Sequence, residues 1–147
     1  MILRPEAERR KVTFNVQSSS SQAIIEGDQT KIQQVLINLA LNAMDAVGDL
    51  PEDRRLVEVS TTQEPSTIVI TVRDHGHGIS IENLPKVFSS FFSTKRSGMG
   101  LGLAIARSIV ESHGGRIWVE NREPHGAAFN VELPVQMRTW KKLRGAA

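Results

Sequence analysis

A chain of 147 residues with 39% apolar content is the size of one globular domain built on a single core. It has no cysteine, which excludes a disulfide frame and a thiolate metal site. A formal charge of +2, with five Phe, two Trp and no Tyr, argues against the basic, aromatic-lined surface of a nucleic-acid binder. No apolar run approaches the ~20 residues that span a bilayer. The start, Met1-Ile2-Leu3-Arg4-Pro5, is charged too early for a signal peptide, so a soluble, cytoplasmic chain without membrane insertion is expected.

In chain order, residues 1–11 are polar with a basic end, a linker or the end of a preceding helix. Val12, Phe14 and Val16 alternate and predict a strand with those three inward, and Ala23-Ile24-Ile25-Glu26 predicts a shorter one after a serine loop. From Asp28, a residue type that caps helices, the period changes to three and four. Ile32, Val35, Leu36, Leu39, Ala43, Ala46 and Val47 form the apolar stripe of a helix that stops near Gly48 and Pro51. Beside it Lys31, Asn38, Asn42 and Asp45 fall within about 60° of one another. Asn is a poor residue inside a helix, so two of them one turn apart either point into a pocket or cap solvent-facing turns.

Val57–Thr61 and Thr67–Arg73 predict neighbouring strands joined through residues 63–66, and residues 81–88 allow one or two helical turns. Gly98, Gly100 and Gly102 make a loop before a second helix, whose Leu101, Ala104, Ile105, Ser108, Ile109 and Val110 run to about His113 and the stop at Gly114-Gly115. Residues 116–120 and 128–134 read as strands, the latter with Phe129, Val131 and Leu133 inward; Arg138, Lys141, Lys142 and Arg144 make 137–147 a basic tail. Helices and strands alternate with hairpin-like pairs near both ends. The expected class is α+β, one sheet covered on one face by helices.

Two stretches carry chemistry. In Asp74-His75-Gly76-His77-Gly78-Ile79 the aspartate shares parity with Ile68, Ile70 and Val72, so its carboxylate is aimed at the buried side, which is costly unless donors meet it. It reads either as a turn aspartate satisfying its own backbone or as a ligand-binding group. Glycines before a helix form an anion site, because unsatisfied amides and the positive dipole end face the ligand, and Lys95 and Arg96 stand just upstream. The loop is neither a Walker A motif nor a Rossmann fingerprint.

The segments Asn38-Leu39-Ala40-Leu41-Asn42-Ala43, Asp74-x-Gly-x-Gly-Ile, Phe88 with Phe91-Phe92-Ser93-Thr94-Lys95, and Gly98-Met99-Gly100-Leu101-Gly102-Leu103 stand in the order of the N, G1, F and G2 boxes. With residues 109–119 and the closing Leu133-Pro134, the sequence from about Val12 to Pro134 resembles the ATP-binding catalytic domain of sensor histidine kinases. That domain belongs to a superfamily shared with gyrase, the Hsp90 chaperones and MutL. The resemblance implies a Bergerat-type two-layer α/β sandwich over residues 12–136, a mixed and mostly antiparallel sheet of about five strands with about three helices on one face. It implies ATP and Mg2+ as cofactors. Asp74 would accept from the adenine amino group, with Gly76 and Gly78 letting the backbone approach the base; Asn42 would bind magnesium, with Asn38 one turn away near the same metal. Gly98, Gly100 and Gly102 would line the phosphates under a lid from Ser93 to Met99, and Ile79, Thr94, Lys95, Met99 and Leu101 would also lie against the nucleotide. No catalytic residue is assigned beyond phosphate positioning by Lys95 and Arg96.

Several positions depart from the family pattern. His75 and His77 stand where Asn and Pro are common, leaving the turn less pre-set and inviting a His-x-His zinc reading without a third ligand. Asp45 stands where Lys or Arg is common. The four histidines, His75, His77, His113 and His125, have none of the helix context of a phosphoacceptor. The resemblance therefore implies a partner, a histidine-bearing dimerisation domain, and through it a response regulator. Two other readings share the fold, a gyrase- or chaperone-like ATPase and a nucleotide-dependent binding module. The ATPases resemble one another in a Glu four residues before the magnesium asparagine; Asn38 occupies that place and cannot take a proton.

Overall fold

The computed structural model describes residues 3–18, 25–92 and 101–135. Its helices are α1 (Leu3–Arg9), α2 (Gln29–Val47) and α3 (Gly102–Ser112), and its strands are β1 (Thr13–Ser18), β2 (Leu56–Gln63), β3 (Thr67–Asp74), β4 (Arg116–Asn121) and β5 (Ala127–Pro134). The strands form one five-stranded sheet in the order β1-β2-β3-β5-β4. Only β1 runs parallel to its neighbour; the other pairs are antiparallel, so the sheet is mixed and mostly antiparallel, as expected. Among the described residues no helix is long and apolar enough to cross a membrane.

Parity decides which face the helices cover. Val57, Val72, Phe129, Val131 and Leu133 point to one side of the sheet and meet Val35, Leu39, Ala43, Met44 and Val47 of α2 and Ala106 and Val110 of α3. Burial of a Leu or Val side chain is worth about 1.5–3 kcal/mol, so this interlock is the main source of stability. The expected stripe of α2 is correct but incomplete: Ala40 and Met44 are also buried, because α3 packs along a second flank of α2.

The helix ends are built from local chemistry. Asp28 caps α2, its carboxylate accepting from Lys31 N at 3.2 Å. Beyond α3, Gly114 takes φ +75° and the amides of Gly114 and Gly115 return to Glu111 O and Val110 O. His113 joins these two ends: Nδ1–H donates to Ile109 O at 2.8 Å, while Nε2 accepts from Asp28 N at 3.1 Å. The start of α2 and the end of α3 are therefore held as one unit.

Three expectations fail, each for a packing reason. Val16 is 61% exposed instead of inward, because β1 is the edge strand and the short α1 covers only its beginning at Val12 and Phe14. Ile105 is 39% exposed on the outer flank of α3, where Ala106 takes the buried position. Ile25 and Glu26 are not in a strand; the rest of that expected strand lies outside the described residues.

On the sheet's helix-free face, Asn130 of β5 is nonetheless buried. Its Oδ1 accepts from Thr71 Oγ1 at 2.7 Å, and nearby Arg116 stacks on Trp118 at 4.5 Å from the ring centroid. A polar residue so placed is tolerated because its hydrogen bonds are made.

Candidate functional site

Asp74 is the last residue of β3, and the alternation that buries Ile70 and Val72 buries it too, to 3% exposure. Two backbone amides meet the carboxylate, Gly76 N at 2.9 Å and Ala127 N at 3.3 Å, and both reach the same oxygen, Oδ1. Burial pushes this carboxyl above the ordinary aspartate range; the Gly76 and Ala127 amides and the nearby His75 and Arg73 pull it back. The turn-aspartate reading thus accounts for one oxygen. Oδ2 is left for another donor.

The turn after Asp74 is wedged between two elements. A Cβ on Gly76 would lie 2.5 Å from Ala46 O, in the last turn of α2, so only glycine lets the chain pass this close. Gly78 takes φ +81°. On the other side, Ile79 N donates to Asn121 Oδ1 at 2.8 Å and Asn121 Nδ2 donates to Ile79 O at 2.7 Å. His125 Nδ1 lies 3.2 Å from Gly76 O. Neither Asn121 nor His125 was a candidate from sequence. An Asn closing a strand before Arg-Glu-Pro-His-Gly is the only local signal, and it points to a turn.

From Ala46 the same helix leads away from this turn. Asn42 lies one turn back along α2, and Asn38 a further turn back donates through Nδ2 to Gly102 O at 3.1 Å. One face of α2 therefore runs from the Asp74 turn to the first residue of α3, a distance of about 12 Å at 1.5 Å per residue. Leu101, at the cap position of α3, offers no side-chain acceptor to the first-turn amides. Of the expected neighbourhood, Asn38 and Asn42 stand on α2, Gly76 and Gly102 lie against it, and Asp74 opens the turn that Gly78 and Ile79 close against Asn121; Leu101 precedes α3. Ser93, Thr94, Lys95, Arg96, Gly98, Met99 and Gly100 lie outside the described residues.

The departures in the sequence find local accounts. Asp45 binds Arg10, Nη1 to Oδ1 at 2.5 Å, and Arg10 in turn meets Glu6, so the carboxylate that replaces a helix cation has a cation beside it. His75 turns away from α2 toward Glu58 of β2, with which its Nε2 pairs, and its ring meets His125 edge-on at 6.1 Å between centroids. His77 is exposed. Among the described residues no three His, Cys, Asp or Glu side chains are gathered to hold a metal, so the His-x-His zinc reading has no site here. Phe88 packs edge-on to Phe129 at 6.0 Å, whereas Phe91 is 75% exposed with φ +67°.

Comparison with known proteins adds the family. Residues 27–137 match the family described as histidine kinase-, DNA gyrase B-, and HSP90-like ATPase. The chain is 42% identical over 111 residues to the sensor protein FixL of Bradyrhizobium diazoefficiens, covering 76% of this chain and 22% of that protein. It is 35% identical over 132 residues to the sensor histidine kinase ZraS of Escherichia coli strain K12, covering 90% and 28%. The chain thus spans less than a third of these curated relatives. Among solved structures it resembles the nucleotide-free catalytic domain of histidine kinase ThkA, with TM-score 0.79 and 35% identity over 90% of this chain and 85% of that one. It also resembles ThkA in complex with the response regulator protein TrrA, with TM-score 0.77 and 33% identity over 92% and 37%.

Proposed function

The chain belongs to the histidine kinase-, DNA gyrase B-, and HSP90-like ATPase family, and we propose that it is the catalytic domain of a sensor histidine kinase. In this reading residues 12–136 bind ATP and pass its γ-phosphate to a histidine on a separate dimerisation domain, from which a response regulator receives it, in the cytoplasm. Residues 1–11, with α1, are a linker or the end of a preceding helix, and 137–147 are a basic tail. The observation that carries the reading is the buried Asp74 with both of its backbone donors on Oδ1, at one end of a helix face that leads to the start of α3.

Asp74 Oδ2 accepts from the exocyclic amine of adenine. Gly76, Gly78 and Ile79 present backbone to the ring and Leu101 and Gly102 meet the phosphate end, where the family resemblance would add Thr94, Lys95, Gly98, Met99 and Gly100. Asn42 and Asn38 are amide-oxygen donors that suit a hard cation such as Mg2+; Asn38 turns its Nδ2 to Gly102 O, which leaves Oδ1 as the acceptor. Bound magnesium supplies charge neutralisation along the phosphates. Phosphoryl transfer depends chiefly on positioning and such charge stabilisation, and this chain's residues provide the first. Asn38, an amide already engaged with α3, cannot serve as a water-activating base, which favours transfer to a partner over hydrolysis.

The test is calorimetry followed by phosphotransfer. Loss of a charge-assisted hydrogen bond is worth about 1.5–3 kcal/mol, so Asp74→Ala is expected to weaken ATP binding at least about ten-fold. Asn42→Ala is expected to keep part of the affinity and lose its magnesium dependence. Mixed with its dimerisation domain and labelled ATP, the chain should yield an acid-labile phosphohistidine. Unchanged ATP affinity in Asp74→Ala would sink the pocket; ATP binding without phosphohistidine would leave a nucleotide-binding module in place of a kinase.

A further inference from the structure

The Asp74 turn is held at both ends by one pair of residues on the β4–β5 hairpin. Asn121 and Ala127 are directly opposite each other in the antiparallel ladder. Ala127 N donates to Asp74 Oδ1, at the beginning of the turn. The Asn121 carboxamide takes Ile79 N–H on Oδ1 and gives Nδ2–H to Ile79 O, five residues later. This two-way bond copies what a strand partner would offer a residue, using a side chain where the sheet has ended. The carboxamide lies close over the turn: a Cβ on Gly78 would be 2.9 Å from Asn121 Oδ1 and 3.4 Å from Gly126 O. The hairpin is itself closed by Arg122 N donating to Gly126 O at 2.9 Å.

Asn121 is exposed, so apolar burial does not explain it. Its carboxamide instead spends both of its functions on one backbone residue of the turn. We infer that Asn121 is a positioning residue for the base-binding turn: by fixing the Ile79 peptide against Ala127, it sets the path of residues 74–79 and so the direction of Asp74 Oδ2. This rests on the reading of Asp74 as the acceptor for adenine. Asn121 acts through that turn and does not itself touch the nucleotide. Asp in its place would keep an acceptor for Ile79 N–H and set a carboxylate against Ile79 O; Ala would lose both bonds.

Amide exchange and nucleotide affinity test this together on the whole chain. In Asn121→Ala, exchange at Ile79 N–H followed by NMR is expected to quicken at least about ten-fold, since its one acceptor is gone. Affinities for ATP and ADP should fall by a common factor of about ten, as two net hydrogen bonds would allow, while the magnesium dependence of ATP binding stays. In an Asp74→Asn background the same substitution should cost less than about two-fold, because the group being positioned has already been altered. Asn121→Asp should fall between Asn121→Ala and the parent, and serves as the test if Asn121→Ala fails to fold. Parent-like ATP and ADP affinities in a folded Asn121→Ala chain whose Ile79 amide exchanges faster would overturn the inference and leave the nucleotide reading intact. A parent chain that binds no adenine nucleotide would overturn both.

Discussion

Gly126→Ala is the sharpest test of how closely the β4–β5 hairpin is fitted to the Asp74 turn. Gly126 takes φ +96°, a conformation L side chains rarely adopt, and a Cβ there would lie 2.1 Å from Asp74 O, 3.1 Å from Asp74 C and 3.2 Å from His75 Cα. The first contact is with backbone, so no rotamer change relieves it. Left-handed strain costs about 1–2 kcal/mol and forced overpacking typically about 1–3 kcal/mol. The sum, about 2–5 kcal/mol, is a large part of the roughly 7–15 kcal/mol expected for a domain of this size. Thermal unfolding should show it as a fall in Tm of about 6–20 °C. Gly48→Ala is the control: its Cβ would meet Asp45 O at 3.3 Å with φ −61°, so its Tm should stay close to that of the parent. If the hairpin must lift to relieve the clash, the Ala127–Asp74 bond goes with it, and ATP affinity should fall in the fraction that remains folded. A Gly126→Ala chain melting within about 2 °C of the parent would refute the fit.

Gly102→Ala should separate folding from ligand contact. A Cβ there has room, its nearest neighbours being Asn38 Cγ at 3.9 Å and Nδ2 at 4.0 Å, so stability should hold or rise by about 0.5 kcal/mol from reduced chain entropy. ATP affinity should nevertheless fall about ten-fold, and unchanged binding by calorimetry would remove Gly102 from the phosphate end. Asp74→Asn tests the buried carboxyl. Because burial raises its pKa in the folded chain, the stability this group contributes is complete below the ordinary aspartate value and is lost as pH rises through the folded value. Asn keeps an acceptor for Gly76 and Ala127 and never ionises, so its Tm should gain on the parent as pH rises above about 4, while ATP binding weakens about ten-fold but stays measurable. A variant Tm that falls relative to the parent as pH rises would contradict the sign.

How much of this was legible in the sequence varies with how local the cause is. The cap at Asp28, the stop at Gly114-Gly115 and the inward set of β3 depend on one element each, and residue type and period were enough to find them. Val16 and Ile105 have the right period and lie on the wrong side of a boundary, because the extent of α1 and the position of α3 decide what is covered. Asp74 could be flagged because an acidic residue with buried parity is unusual. Asn121 could not be found so, since its role depends on the pairing of Asn121 with Ala127, which brings it against Ile79, 42 positions away.

The same difference explains why the two ends of the candidate site stand on different footing. At the Asp74 end, glycine tolerates close backbone contact at Gly76 and Gly126, and Asn121 fixes the far side of the turn, so the acceptor is set before any ligand arrives. Pre-setting of this kind lowers the ordering cost of binding, and in the proposed reading it would give the base end its discrimination. At the other end the described contact is Asn38 to Gly102 O, which anchors α3 to α2 and leaves the first-turn amides of α3 facing the start of the helix. Substitutions at Asn121 and Gly126 should therefore act on ATP and ADP alike, whereas substitutions at Asn42 and Gly102 should act more on the nucleotide that carries the γ-phosphate. An Asn121→Ala chain that lost ATP affinity and kept ADP affinity would show that the hairpin acts at the phosphate end instead.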